Sequence, residues 1–326
     1  MNYYKVNTNS IGGYFELETN LISEYHANAL AINTARNALE YILKAKKVQK
    51  IYLPYYTCDV LLEPLKKLQV QFEFYSIDED LQPMFDYSKV SNNEFFLYTN
   101  YFGLKDDYID TLIKKCKNLI IDNAQAFYSK PIDGISTFYS ARKFFGVSDG
   151  AYLYCNDRLN DVFDTDCSFE RMSHLLIRKD ISAEFGYSNF INNDKSLENQ
   201  PIKLMSNLTK SILQSIDYDR IAEVRIANFN ILHKSLGSIN KLNLSLLKNN
   251  VPMVYPFWSE DLGLRKRLLE NKIYTATYWP NVKKWCKIDS LEYSLTEEIV
   301  HLPIDQRYGE KEMEFIINLI QSKNEY

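Results

Sequence analysis

The chain has 326 residues, of which 25% are charged and 46% hydrophobic, and its formal net charge is −4. These proportions are ordinary for a globular protein, and the absence of a basic block gives no support for nucleic-acid binding. With domains averaging about 150 residues, the length predicts two domains.

The sequence also bears on location. Residues 1–5 contain no apolar stretch of the kind that begins a signal peptide, and no apolar run approaches the length of a membrane span. The five cysteines, at positions 58, 116, 155, 167 and 286, show no C-x-x-C spacing. Their odd number and scattered positions predict free thiols in a reducing compartment, so we expect a cytoplasmic protein without a membrane segment.

Hydrophobic periodicity predicts alternating strands and helices in the first half of the chain. The predicted strands cover residues 29–33, 50–54, 70–75, 94–98, 118–122, 137–139 and 151–155, and the predicted helices cover residues 35–46, 59–68 and 106–115. This alternation predicts an α/β sandwich with a mainly parallel sheet.

The second half of the chain is less regular. Residues 189–200 are polar and rich in asparagine, which predicts a loop. A long helical pattern opens at Met205 and runs past Asn230, and the tail mixes short strands with a helix over residues 311–322. We therefore predict a large domain over residues 1–230, ending in a long helix at about 205–230, and a smaller C-terminal α/β domain over residues 231–326.

Two residues point to a specific chemistry. Lys143 follows a predicted aromatic strand and precedes a turn between two glycines, and Asp122 ends an apolar strand 21 residues earlier. Pyridoxal phosphate chemistry needs a lysine to hold the aldehyde and an acid facing the pyridine nitrogen. Open α/β sheets bind their ligands at the carboxyl ends of strands, where Asp122 is expected. Lys143 and Asp122 are therefore the predicted catalytic residues.

The segments around these two residues resemble the cofactor site of the DegT/StrS family, the pyridoxal phosphate-dependent sugar aminotransferases of fold type I. Residues 12–18, 34–39 and 53–57 are similar to the family's entry segment, first phosphate-binding turn and Pro-x-x-Thr segment. The resemblance covers residues 10–155 well and is thin beyond Cys155. It implies the fold type I architecture and pyridoxal 5'-phosphate as the cofactor.

Further cofactor contacts follow from the resemblance. Gln125 occupies a position that donates a hydrogen bond to the cofactor's ring oxygen. Thr34 and Ala35 precede a helix, whose free N–H groups and the Thr34 hydroxyl are suited to phosphate; Thr34 is equally suited to be a simple N-cap. Ser140, three residues before Lys143, is the predicted phosphate serine, although sugar aminotransferases more often have it five before.

Other positions depart from the family pattern. Cys58 stands where many relatives stack a large aromatic ring on the cofactor, and Tyr55, Tyr56 and Tyr101 are the alternatives to it for that role. The family's phosphate-binding asparagine from the partner subunit has no counterpart around residues 202–205. Ser206 or Asn207 is the predicted replacement. Arg142 is suited either to the phosphate or to a surface ion pair.

Competing interpretations have weaker support. Gly146, Ser148 and Gly150 match the G-x-S-x-G elbow of serine hydrolases, but an apolar strand follows where the elbow needs a helix, so Ser148 is interpreted as a turn residue. The four histidines are too dispersed to predict a metal site. Arg225 and Tyr278 are interpreted as surface or core residues rather than substrate contacts.

The resemblance implies an aminotransferase that moves an amino group from an amino acid to a keto sugar, nucleotide-linked, in surface-polysaccharide biosynthesis. It also implies a homodimer, in which residues 185–207 are the candidate segment for reaching the neighbouring site. Two alternatives stay open: a pyridoxal phosphate enzyme of the same fold with other chemistry, and a degenerate binding protein without catalytic activity.

Overall fold

The computed structural model describes residues 11–20 and 22–322. Residues 1–5, on which the prediction of no signal peptide rests, lie outside the described residues. The strands are β1 (Leu30–Ile32), β2 (Lys50–Pro54), β3 (Gln71–Ile77), β4 (Pro83–Met84), β5 (Glu94–Thr99), β6 (Leu119–Asn123), β7 (Ser136–Ser140), β8 (Ala151–Tyr154), β9 (Tyr255–Trp258) and β10 (Ile299–Leu302). The helices are α1 (Ala35–Ala45), α2 (Leu62–Leu68), α3 (Asp106–Lys115), α4 (Ser173–Asp180), α5 (Ala183–Ser196), α6 (Asn207–Leu213), α7 (Tyr218–Leu236), α8 (Leu264–Glu270), α9 (Val282–Trp285), α10 (Leu291–Glu298) and α11 (Glu310–Gln321).

In the part of the chain that the structure describes, β1 to β8 form one eight-stranded sheet in the order β1-β8-β7-β6-β5-β2-β3-β4. The central pairs β3–β2, β2–β5, β5–β6 and β6–β7 are parallel, and the pairs β7–β8, β8–β1 and β3–β4 are antiparallel. The predicted mainly parallel sheet is confirmed, and the strands predicted in the first half all occur.

Side chains alternate between the two faces of the sheet, and each face has its own core. Ile120 and Phe138 pack on one face with α1 and α2. Their neighbours Ile121 and Tyr139 pack on the other face, in a cluster that continues through α7 to α11. Successive strand residues point to opposite faces, so in β6 and β7, which are covered on both sides, every residue is buried. The central strands are therefore buried, and a ligand can contact them only at the ends of the strands.

The chain between residues 189 and 200 is not the predicted loop, because α5 covers Ala183–Ser196. The Ser182 side chain accepts a hydrogen bond from the Phe185 N–H and caps the helix, which then packs against α4. Of the asparagines that suggested a loop, Asn192 is exposed on this helix, whereas Asn193 is buried and donates a hydrogen bond to the Ser148 carbonyl. Capping and packing on α4 therefore decided the structure, and composition did not.

The predicted continuous helix from Met205 past Asn230 is also wrong, because it is two helices, α6 and α7. Asp217 starts the second helix, since its side chain accepts from the Arg220 N–H as an N-cap. Helix α7 then extends to Leu236 and packs against α11, while β9 and β10 form a separate two-stranded sheet. The domain boundary at residue 230 stays a prediction. No helix within residues 11–20 and 22–322 has both the length and the apolar character that a membrane crossing requires.

The buried carboxylate of Asp149, in the turn before β8, forms hydrogen bonds with the first turn of α6. The Asp149 side chain accepts hydrogen bonds from the Ser206 N–H at 2.8 Å, from Ser206 Oγ at 2.7 Å and from Thr209 Oγ1. Ser206 is itself the N-cap of α6 and is 1% exposed. Its hydroxyl is thus used within its own chain, and of the two predicted replacements for the partner's asparagine only Asn207 lies on the surface.

The substitution Asp149→Ala is expected to lower the free energy of unfolding by about 3 kcal/mol, because it leaves buried donors of Ser206 and Thr209 without an acceptor. Urea unfolding followed by circular dichroism measures this. Asp161→Ala, at an exposed aspartate, is the control and should change the value by less than about 0.5 kcal/mol. Equal losses in the two variants would contradict the role given to Asp149.

Candidate active site

The carboxyl ends of several strands bring the predicted site residues to one edge of the sheet. Asp122 on β6 is level with Phe138 on β7, and Ser140 is level with Ala151 on β8, which is level with Ile32 on β1. Because β1 and β7 are both antiparallel to β8, they run in the same direction and end at the same edge. The turn at Thr34, the end of β6 and the residues after β7 therefore meet where α/β sheets bind ligands.

Asp122 is a carboxylate held in the protein interior. Its side chain is 6% exposed, and Oδ1 accepts a hydrogen bond from the Ala124 N–H at 2.8 Å. Burial raises the pKa of Asp122 to about 6, and the positive charge of Lys143 and the Ala124 hydrogen bond act against that rise. The carboxylate therefore lies within electrostatic range of Lys143, and a cationic partner would favour its charged form.

Lys143 ends a short 3-10 turn, Ala141–Lys143, that directly follows β7. Its side chain is exposed, and Nζ lies 6.0 Å from the centre of the Tyr278 ring. The same charge acts on Cys58, whose pKa is raised by burial and lowered in part by Lys143. Lys143 thus lies near Asp122, Cys58 and Tyr278. Within residues 11–20 and 22–322, its amine forms no ion pair.

Gln125 is oriented by one of its two amide atoms. Oε1 accepts a hydrogen bond from the Phe102 N–H at 3.0 Å, which leaves the NH₂ group pointing the other way. Nε2 is buried and has no hydrogen-bond partner among the described residues. An unpaired buried donor is costly unless something accepts its hydrogen bond, and an acceptor oxygen of a bound group would satisfy it.

The N-terminus of α1 offers a second set of donors. Thr34 is its N-cap: Oγ1 accepts from the Asn37 N–H at 3.2 Å and donates to Asn37 Oδ1 at 2.6 Å. The N-cap alternative for Thr34 is therefore confirmed. The N–H groups of Ala35 and Arg36 lie in the first helical turn, where donors lack partners within the helix and favour anions. Ser140 is nearly buried at the same edge; phosphate contacts by Thr34, Ala35 and Ser140 stay predictions.

The aromatic residues considered as alternatives to Cys58 are engaged elsewhere. Tyr56 and Tyr101 are buried, and the Tyr101 hydroxyl donates to the Tyr56 carbonyl at 2.8 Å. Tyr55 stacks on Phe74, with ring centres 4.9 Å apart. Cys58 itself is half-buried and close enough to Lys143 to feel its charge. The role of Cys58 over the cofactor ring, and that of the three tyrosines as its alternatives, stays a prediction.

Two other predictions can be decided from geometry. Arg142 forms an ion pair with Asp194 on α5, so the surface-pair alternative for Arg142 is the one observed. Ser148 is buried with its hydroxyl against the Met172 sulfur, and β8 follows it. The hydrolase elbow is thereby excluded, since the serine would have to be exposed and followed by a helix. Within the described residues, no cluster of three histidine, cysteine or acidic side chains could hold a metal ion.

Tyr278 is a site residue that the sequence reasoning set aside as core. Besides approaching Lys143, its ring lies 6.3 Å from Phe102 and 4.4 Å from the buried His301. Burial raises the pKa of Tyr278 to about 12, so the phenol is neutral and can serve as a donor. The run of Tyr278, Trp279 and Pro280 was the available signal, but aromatic residues are common in this chain and the run alone was not decisive.

The raised pKa of Asp122 predicts how stability changes with pH in the protein without a ligand. A folded-state pKa of about 6 lies above the ordinary value, so the folded state binds the proton more tightly and stability falls as pH rises from about 4 to about 6. Asp122→Asn should remove this fall and stabilise the apoprotein at pH 7 by about 1–3 kcal/mol. Chemical unfolding at several pH values measures it; an unchanged pH profile in the variant would contradict the assignment.

Comparison with known proteins identifies the fold. No protein-family model matches the sequence, and no curated protein matches it. Solved structures do match. The chain resembles a DegT DnrJ EryC1 StrS aminotransferase from Brucella abortus with 14% identity and a TM-score of 0.60, covering 91% of this chain and 86% of that one.

Two further structures agree. The sugar aminotransferase CalS13 from Micromonospora echinospora has 13% identity and a TM-score of 0.61, with 91% of this chain and 88% of that chain covered. NtdA from Bacillus subtilis, solved with bound cofactor PMP, has 13% identity and a TM-score of 0.63, with 90% and 73% covered. The likeness thus extends well beyond Cys155, where the sequence resemblance was thin. The chain has the fold of the sugar aminotransferases, and the predicted fold type I architecture is confirmed.

Proposed function

We propose that this protein is a pyridoxal phosphate-dependent aminotransferase that transfers an amino group from an amino acid to a keto sugar. The observation that carries the proposal is the pairing, at one edge of the sheet, of an available lysine with a buried carboxylate in electrostatic contact with it. The solved structures that share the fold support it, since they include sugar aminotransferases and one with bound PMP.

The residues at this edge fit the cofactor. Lys143 would hold its aldehyde, Asp122 would face its pyridine nitrogen, and the unpaired Gln125 Nε2 would donate to its ring oxygen. The first turn of α1 and Ser140 would receive its phosphate, with Cys58 near the ring. When bound, the group supplies an electron sink for the carbanion that forms when an amino acid loses its α-proton.

The remaining chemistry belongs to the side chains. A carboxylate at Asp122 stabilises a positive charge on a nitrogen facing it, and that charge in turn lowers the pKa of the buried acid. The Lys143 amine, when free, would act as the general base, with Nζ taking the proton from the α-carbon of the amino acid. The Tyr278 ring lies 6.0 Å from Nζ and forms one side of the space around that amine.

The acceptor is proposed to be a nucleotide-linked keto sugar used in surface-polysaccharide biosynthesis, within the cytoplasm. Support for the sugar comes from the sequence resemblance and from CalS13, which is a sugar aminotransferase. The five cysteines are free, as a reducing compartment predicts.

Two alternatives make different predictions. An enzyme of this fold with other chemistry would bind pyridoxal phosphate and react with an amino acid without passing the amine to a sugar. A binding protein without activity would retain the fold and leave the cofactor unchanged by amino acids. Reaction of the bound cofactor with an amino acid, and passage of the amine to a keto sugar, distinguish the three.

The variant Lys143→Ala should abolish the visible absorption band of the lysine-bound cofactor and the transfer of the amino group, while the fold is retained. Borohydride reduction followed by mass spectrometry should place the cofactor on Lys143 in the wild-type protein. Lys130→Ala, at an exposed lysine of the loop after β6, is the matched control and should behave as wild type. A reduced adduct on another lysine would refute the assignment.

We also propose a homodimer, with an interface that includes α4, α5 and residues 11–17. Large apolar side chains are exposed there: Phe185 is 65% exposed, Ile181 and Tyr187 are exposed beside it, and Tyr14 is 99% exposed. Ile181, Phe185 and Tyr187 lie within seven residues of each other where α4 is followed by α5, and clusters of exposed apolar side chains mark interaction sites. A second copy of the chain is the partner that the resemblance implies, and Asn207 is the surface residue proposed to reach its site.

Light scattering should give a dimer for the wild-type protein at micromolar concentration. The double variant Phe185→Asp, Tyr187→Asp should dissociate it, because two charges would be buried without partners in an apolar interface. Leu262→Asp is the control, since Leu262 is 81% exposed and lies outside the segments proposed for the interface, and it should remain a dimer. A wild-type monomer, or equal dissociation in the control, would refute this interface.

A further inference from the structure

Arg225 is a buried cation that the proposed chemistry does not use. It lies on α7, is 1% exposed, and its guanidinium packs 4.7 Å from the centre of the Phe144 ring. Nη1 donates to the Met253 carbonyl at 2.9 Å, and Nη2 donates to the Phe144 carbonyl at 3.3 Å and to Gln306 Oε1 at 3.0 Å. The side chain thus joins three separate parts of the chain.

One of these parts is the turn that carries Lys143. The Phe144 carbonyl, which belongs to the residue directly after Lys143, accepts from Arg225 and also from Gln306 Nε2 at 2.8 Å. Arg225 and Gln306 are hydrogen-bonded to each other as well. A carbonyl held by two donors, one of them charged, has little freedom to rotate, so the backbone next to Lys143 is fixed by residues from the C-terminal half.

A second series of hydrogen bonds connects Arg225 to Gln125. The Met253 carbonyl accepts from Arg225, the Met253 N–H donates to the Phe102 carbonyl at 2.8 Å, and the Phe102 N–H donates to Gln125 Oε1. Gly103 permits this close approach: its φ is +72°, and a Cβ there would lie 2.8 Å from the Val251 carbonyl oxygen. One guanidinium therefore lies between the turn of Lys143 and the backbone that orients the Gln125 amide.

A role in packing alone does not explain Arg225, because burying its positive charge costs stability. Its hydrogen bonds to the described residues end on neutral oxygens. Asp305, the acid whose charge acts on Arg225, is paired with the Arg307 side chain through two hydrogen bonds. Burial lowers the pKa of Arg225 to about 10, which still leaves it cationic. Burying a cation without a hydrogen-bonded carboxylate costs stability, whereas a planar fork can serve several carbonyls at fixed angles.

We propose that Arg225, together with Gln306, is a positioning residue that fixes the turn of Lys143 relative to Gln125. The inference rests on the proposed function, because the Lys143 amine and the Gln125 amide would contact the same cofactor. The planar, forked shape of the guanidinium, and not its charge, is the feature that fixes the turn. Arg225→Lys, which retains the charge without the fork, should therefore fail to substitute.

The test measures backbone mobility in the apoprotein and cofactor binding separately. Arg225→Lys and Gln306→Leu should each speed amide hydrogen exchange in residues 141–147 by about tenfold or more, the change expected from losing a donor to the Phe144 carbonyl. Each should also weaken pyridoxal phosphate binding, read from the visible band, by about tenfold or more. Exchange by mass spectrometry needs no bound cofactor and no substrate.

Asn228→Ala is the matched control. Asn228 is buried on the same helix and donates to the Ile304 and Tyr308 carbonyls, in the same segment as Gln306, without contacting the turn of Lys143. It should lower overall stability yet leave exchange in residues 141–147 and cofactor affinity within about twofold of wild type.

Each outcome decides the matter. Unchanged exchange and binding in Arg225→Lys, or equal changes in Asn228→Ala, would overturn the proposal. If Arg225→Lys does not fold, Gln306→Leu carries the test, because the Gln306 side chain is only half-buried. If wild-type protein shows no visible band with pyridoxal phosphate, the proposed function fails, while the exchange experiment still confirms or refutes the positioning of the Lys143 turn.

Discussion

The site depends on one electrostatic constraint, which is that a carboxylate is held away from water at the end of a central parallel strand. Asp122 cannot be buried there in its charged form without a positive group nearby, and Lys143 is the group the fold supplies. The parallel strands β5, β6 and β7 end side by side, so the acid and the turn carrying the amine are placed together by the sheet itself. The neighbouring loops then need only orient Gln125, Cys58 and Tyr278 around that pair.

Much of this was predictable from the sequence, for physical reasons that differ between elements. The strands β5 and β6 are covered on both faces and each contains an apolar run, and the run that ends in Asp122 indicates both the strand and the edge at which its carboxylate lies. Helix α1 was predictable because its apolar positions repeat with the helical period and Thr34 caps it. The pairing of Lys143 with Asp122 followed from the chemistry that a lysine and an acid can perform together.

The remainder depended on contacts between residues far apart in the chain. The second half of helix α5 is rich in polar residues, and the Ser182 cap and packing on α4 favour the helix there. The break before α7 is set by Asp217, a residue type that is common both inside helices and at their ends. Ser206 looked available until Asp149, 57 residues away, was found to bind it. Arg225 has partners 81 residues distant in both directions, so no local pattern could have indicated them.

The two donors to the Phe144 carbonyl also bear on how the protein is made. Arg225 lies 81 residues after Phe144, and Gln306 lies 162 residues after it. During synthesis on the ribosome, the sheet and the turn of Lys143 emerge well before either donor exists. Long-range contacts of this kind form late and slowly. A nascent chain that has reached β8 therefore contains Lys143 and Asp122 but neither donor to the Phe144 carbonyl, so the turn of Lys143 gains these two hydrogen bonds only after residue 306 has left the ribosome.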